Sequence, residues 1–144
     1  MENKILGLHH ITAIANNAKI NHDFYTKVLG LRMVKKTVNF DDPNTYHFYY
    51  GNENGAPGTI LTFFPWEGIG KGYTGTGQAT EIGYSVPEGS LDFWANRFKE
   101  NNITIGEKSE RFGEHFLPFQ DPDGLNLSLI VPKQKDNRIV WETN

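Results

Sequence analysis

No cysteine occurs among the 144 residues, which removes disulfides, thiolate-held zinc and a cysteine nucleophile together. Any metal has to be held by nitrogen and oxygen. Long apolar runs are missing too: no stretch approaches the ~18 residues of a membrane span, and the opening Met-Glu-Asn-Lys-Ile-Leu-Gly-Leu lacks the apolar centre of a secretory signal. A cytoplasmic protein is the default expectation. Basic charge is also scarce, with 14 Lys and Arg against 17 Asp and Glu and a net charge of -3. The two signs are interspersed, so neither nucleic acid nor an anionic membrane is an expected partner. What remains is a chain of single-domain size, with 38% hydrophobic and 13% aromatic residues to build a core.

The chain carries one pattern twice. A strand-like run headed by His9-His10-Ile11-Thr12 leads to a helix that Asn16 or Asn17 can cap. In that helix Ile20, Phe24 and Val28 recur every four residues, and Gly30 can end it in a left-handed conformation. Phe24 and Tyr25 are read as core. Strand candidates come next at Leu31 to Phe40, Tyr46 to Tyr50 and Thr59 to Phe64, rich in β-branched and aromatic residues. The order then repeats: a strand at Glu81 to Val86, a helix capped by Ser90 with Leu91, Trp94, Ala95 and Phe98 on one face, and strands at Ile103 to Glu107, His115 to Gln120 and Leu125 to Val131. Asp23-Phe24-Tyr25 in the first helix answers Asp92-Phe93-Trp94 in the second. This is a βαβββ unit used twice. Between the copies, Gly70-Lys-Gly72-Tyr-Thr-Gly75 matches the GxGxxG pattern only formally, because the next element reads as a strand and a dinucleotide site needs a helix N-terminus.

The two βαβββ units, the Phe24-Tyr25…Leu29-Gly30-Leu31 helix end and Asp121-Pro122-Asp123-Gly124 before the last strand together resemble the vicinal oxygen chelate superfamily. That superfamily includes glyoxalase I, extradiol dioxygenases and antibiotic-binding resistance proteins. The resemblance implies an α+β fold in which two βαβββ modules, 5–66 and 79–132, form a curved mixed β-sheet cup. The modules make a single domain over 1–132 joined by the Gly-rich linker 65–79. The tail 133–144, with Ile139-Val140-Trp141, reads either as an ordinary docked tail or as a connection to a missing C-terminal domain. The superfamily's four ligand positions fall on His10, Leu61, Glu81 and Ser128. Two of these can bind a metal, too few for a tight site, which usually takes three or four ligands.

A narrower set of motifs is more specific. Gly7-Leu-His-His-Ile-Thr12, Val34-Lys-Lys-Thr-Val38, Asp41-Asp-Pro-Asn-Thr-Tyr-His47, Gly58-Thr-Ile-Leu-Thr-Phe-Phe64 and Val86-Pro-Glu-Gly-Ser-Leu91 resemble the N-terminal half of ring-cleaving dioxygenases acting on hydroquinones, whose members are about twice this length. The resemblance implies Fe(II), or another divalent metal, in a 2-His-1-carboxylate site. His10 is then one ligand, with a second His and a Glu supplied by the missing C-terminal half, so that an isolated domain can lack the metal. It also implies that His9 and Thr12 face the substrate, a hydroquinone-like aromatic that reacts with O2. Strand alternation opposes this for His9, which belongs on the other face from His10 unless the strand start is twisted.

Two rival readings remain open. One is a small-molecule binder like the bleomycin or fosfomycin resistance proteins, with Phe63, Phe64, Trp66 and Tyr73 as a wall, although the two Phe residues read as core. The other is a metal-dependent lyase completed across a homodimer, in which Glu81 is the alternative metal ligand. His47 is expected as a core or supporting histidine, and Glu114 with His115 as a satisfied surface pair.

Overall fold

Alternation and helical periodicity become two four-stranded sheets, each with one helix, in the computed structural model, which describes residues 4–134. The chain divides into two compact units, one running through Ile69 and the other beginning at Gly70.

In the first unit, strand β1 (His10–Ala15) leads into α1 (Ala18–Asp23), which continues as a π-helical turn over Phe24–Val28. Asn17 caps α1 by accepting a bond from the Ile20 amide at 2.9 Å. Gly30 ends the helical segment with φ 69°, the left-handed conformation in which a side chain is disfavoured. Three strands complete the unit, β2 (Arg32–Val38), β3 (Tyr46–Gly51) and β4 (Ile60–Pro65), in the sheet order β1-β4-β3-β2. β1 runs parallel to β4, and the other pairs are antiparallel.

The helical segment covers one face of this sheet. Tyr25 stacks on Tyr50 with centroids 5.1 Å apart and tilts against Phe63 at 4.7 Å. The Tyr50 hydroxyl donates to Asn21 Oδ1 at 2.9 Å inside the same core. The π turn shifts the expected stripe, because it slips one residue past the regular helical phase. Asn21, Phe24, Tyr25 and Leu29 are buried, while Ile20, expected on the apolar face, is 54% exposed.

The second unit repeats the order with β5 (Ile82–Ser85), α2 (Leu91–Glu100), β6 (Ser109–Arg111), β7 (Glu114–Gln120) and β8 (Asn126–Ile130), in the sheet order β5-β8-β7-β6. Phe98 packs on Phe119 at 4.6 Å, with Leu117, Leu127 and Leu129 buried around them. Ser90 does precede α2, yet its hydroxyl donates to Pro87 O at 2.7 Å rather than capping a helix amide.

The strand expected at Ile103 to Glu107 is reduced to a single bridge between Ile105 and Phe119. Pro118 explains this. It lies in β7 opposite that segment, accepts from the Gly106 amide at 2.9 Å and has no N–H to return. The pairing strand, β6, is short and lies further along. Residues 66–80 hold no helix or strand, and the Gly-rich stretch runs into the strand β5 rather than into a helix. No helix among the described residues is long and apolar enough to cross a membrane. Ile139-Val140-Trp141 lie outside the described residues.

Candidate functional site

The face of the first sheet turned away from α1 is set by β1. His10, Thr12 and Ile14 point to it, while Ala15 is buried toward the helix and Ile11 and Ala13 are partly covered. His9 lies just before the strand, so strict alternation does not apply to it, and its carbonyl accepts from the Gly58 amide at 2.8 Å. The two imidazoles meet edge to face with Nδ1 atoms 3.1 Å apart, and both are exposed. The expectation that alternation separates His9 from His10 therefore fails, because the strand begins one residue too late to impose it.

A contact between two ring nitrogens requires one proton between them. With that proton on His10 Nδ1, His9 is the acceptor and His10 Nε2 keeps its lone pair for a metal. This is the usual way a second group fixes the tautomer of a metal-ligating histidine.

Thr12 shares the face. Its Oγ1 accepts from Thr62 Oγ1 at 2.8 Å, which leaves the Thr12 proton free to donate outward. Thr62 also corrects the ligand positions read from the sequence. Leu61 pairs with Ile11 in register and is 2% exposed in the core under the helix, so it cannot face a metal. Thr62, paired with Thr12 and 0% exposed, lies on the His10 face in its place. A strand has a period of two, and the sequence alignment was off by one residue.

The second unit answers the same positions differently. Gly83 pairs with Ser128 as Thr12 pairs with Thr62, which places Glu81 where the first unit has His10. Glu81 accepts from Arg111 Nη2 at 2.7 Å and Nη1 at 3.3 Å, and from Ser128 Oγ at 2.8 Å. The Arg111 guanidinium, and then the Ser128 hydroxyl, hold the Glu81 carboxyl below its ordinary range. Arg111, which also sits over Phe116 at 4.9 Å, is not among the residues the sequence singles out. Its short strand carries no sequence signal for the contact.

The remaining candidates separate. His47 and Tyr49 lie on the His10 face of β3 and are joined by a 3.0 Å hydrogen bond between the Tyr49 hydroxyl and His47 Nδ1. Burial, and then the charges on His10 and Lys35, push His47 below its ordinary value. Phe63 is core, whereas Phe64 faces the other way and lies 4.0 Å from His47. Trp66 binds Asp42 Oδ2 through Nε1 at 3.2 Å, and Tyr73, in the second unit, is almost fully exposed. Those four residues do not form one wall. Glu114 and His115 point to opposite faces of β7. Glu114 accepts from the Lys133 amide at 3.1 Å, and His115 borders a groove of about 640 Å³ with Leu91, Asp92 and Lys108.

Among the described residues no three or more His, Asp or Glu side chains come together as a metal site. The described residues thus offer one exposed imidazole on this face and do not make up a complete iron centre.

Residues 7–129 match the family model described as "Glyoxalase/Bleomycin resistance protein/Dioxygenase superfamily". The chain is 51% identical over 141 residues to the "Putative ring-cleaving dioxygenase MhqO" of Bacillus subtilis, covering 98% of this chain and 45% of that protein. It is 39% identical over 143 residues to the "Chlorohydroquinone/hydroquinone 1,2-dioxygenase" of Sphingobium indicum, covering 97% of this chain and 44% of that protein. The crystal structure of a "putative dioxygenase" from Bacillus subtilis superposes with a TM-score of 0.85 at 53% identity over 90% of this chain and 41% of that one. A glyoxylase/bleomycin resistance protein/dioxygenase domain from Frankia superposes with a TM-score of 0.73 at 16% identity, over 90% of this chain and all of that one, which speaks for the fold alone. The chain spans less than half the length of the curated relatives named here.

Proposed function

The chain belongs to the glyoxalase/bleomycin resistance protein/dioxygenase superfamily, and on that premise we propose that it acts as the N-terminal domain of an Fe(II)-dependent dioxygenase that opens hydroquinone-type rings with O2. His10 supplies one ligand of a 2-His-1-carboxylate site, and the other His and the carboxylate come from outside these residues. On this reading both βαβββ units belong to that N-terminal domain. An iron held in that way keeps open positions for a phenolate oxygen and dioxygen.

One observation carries the reading. His10 stands exposed on the sheet face with its Nδ1 engaged by His9, so one nitrogen remains for a metal, and among the described residues no group of three or more His, Asp or Glu side chains gathers to complete a site. That is what one half of a shared site requires. Thr12, its proton free, is placed to donate to a substrate hydroxyl, and His9 holds the tautomer of His10. The length of the ring-cleaving relatives supports the same division. The lyase reading is weakened because Glu81 is already bound by Arg111 and Ser128.

The test is complementation. The 144-residue chain mixed with the C-terminal half of a ring-cleaving relative should consume O2 in the presence of Fe(II) and hydroquinone, and His10→Ala should abolish the uptake. Tight stoichiometric Fe(II) binding with rapid ring opening by the chain alone, or complementation indifferent to His10→Ala, would show the proposal to be wrong.

A further inference from the structure

The His10 face of the first sheet extends beyond β1. Register places Thr12, Thr62, Tyr49 and Lys35 in one row across the four strands. Beside that row, His47 lies 4.0 Å from Phe64 at a tilt of 32° and 4.2 Å from Tyr49 at 38°. The bond between the Tyr49 hydroxyl and His47 Nδ1 locks two of the three rings together. These rings form an aromatic shelf on the sheet face that also carries His10.

Charge on this face has one sign. The strand positions that point to it hold Arg32 and Lys35 beside the imidazoles of His10 and His47, and no Asp or Glu. The Lys35 ammonium lies 5.3 Å from the Tyr49 ring centroid, folded over the shelf rather than away from it. Among the described residues Lys35 has no carboxylate within ion-pair distance. Other cations do: Lys19 and Lys27 share Asp23, Lys108 meets Asp92 and Arg111 meets Glu81. An ammonium held against an aromatic surface, with no protein counter-ion, suits a ligand that is flat and anionic. Tyr49 lies two strands from Thr12, about 10 Å at ordinary strand spacing. A substituted ring approaching His10 can therefore bring a substituent toward Lys35.

We infer that the Phe64–His47–Tyr49 shelf with Lys35 above it is a subsite for the anionic substituent of an aromatic ligand, a ring carboxylate being the class that fits, and that Lys35 sets the preference for it. The identification of that ligand as a substrate rests on the ring-cleaving reading, whereas the preference for an aromatic anion does not.

The test uses the metal-free 144-residue chain, titrated calorimetrically at low salt with 2,5-dihydroxybenzoate, benzoate and hydroquinone. Both carboxylates should bind about fivefold more tightly than hydroquinone, the size expected of one partly exposed ion pair. The difference should shrink as salt is added. Lys35→Met should remove the preference while leaving hydroquinone binding unchanged, and Lys35→Arg should keep it. Lys35 is exposed, so neither variant threatens the fold. Equal affinities for all three probes, no binding of any of them, or a preference that survives Lys35→Met would overturn the subsite. A Lys35-dependent preference together with failed complementation would leave the subsite standing and sink the dioxygenase reading. The reverse pattern would sink the subsite alone.

Discussion

Replacing Tyr50 by Phe removes one oxygen from the centre of the first unit and nothing else. Tyr50 is 0% exposed and Asn21 is 2% exposed, and the bond between them is 2.9 Å long. Asn21 Nδ2 already lacks a partner, so the substitution leaves both polar atoms of that side chain buried and unpaired. The ring contacts to Tyr25 and Phe63 remain, so no cavity opens. The cost is that of stranding a buried acceptor, about 1–3 kcal/mol. At roughly 3 °C per kcal/mol for a chain near this size, the melting temperature should fall by about 3–9 °C. Urea unfolding followed by circular dichroism measures the loss directly, with an unchanged denaturant slope as the sign that only stability moved. Combining Tyr50→Phe with Asn21→Leu replaces both partners by apolar groups and should recover much of what either change costs alone. A Tyr50→Phe protein within about 0.5 kcal/mol of the parent, or a double variant whose losses simply add, would refute the reasoning.

Arg111→Met should cost no more than about 1 kcal/mol, since the pair it breaks is partly exposed and screened. Because Arg111 lowers the Glu81 carboxyl in the folded state, that stabilisation exists above the ordinary carboxylate range and fades as pH falls; the variant's stability curve should be flatter below about pH 5. Gly83→Ala should destabilise by about 1–3 kcal/mol, because the new methyl would sit 2.6 Å from Ile130 Cδ1, and Ile130→Val, which removes that atom, should restore most of the loss in the same thermal melt. Burial raises the phenols of Tyr50 and Tyr84 above their ordinary value near 10, so the folded state keeps protons that the unfolded chain gives up, and stability should decline as pH rises past about 10. A flat urea midpoint between pH 9 and 11 would contradict that assignment.

Much of the fold was legible in the sequence because the signals were local. The Asn17 cap, the left-handed Gly30 and the alternating strands each depend on a few neighbouring residues, and they fall where the sequence puts them. Three features were not legible. The π turn at Phe24–Val28 has no residue signature here, so the helix phase was misjudged at Ile20. The strand at Ile103 to Glu107 failed because of Pro118, a residue in a different strand. Leu61 was chosen over Thr62 because alignment alone does not fix which way a strand residue points.

The candidate site divides along the same line. His10 and Thr12 could be read from a motif, and both share the face the reading requires. Arg111 on Glu81, Tyr49 on His47 and Lys35 over Tyr49 link residues across strands or along them, and no spacing in the chain announces them.

The pairing of β1 with β4 has a consequence for how the protein is made. In each unit the first strand to leave the ribosome pairs with the last, His10 beside Ile60 and Ile82 beside Leu127. The intervening hairpin strands can form as soon as they emerge, whereas β1 must wait for some fifty residues of synthesis before its partner exists. His10 is thus translated well before the strand that fixes its place, and a nascent chain stalled before β4 would display an unpaired strand bearing that histidine.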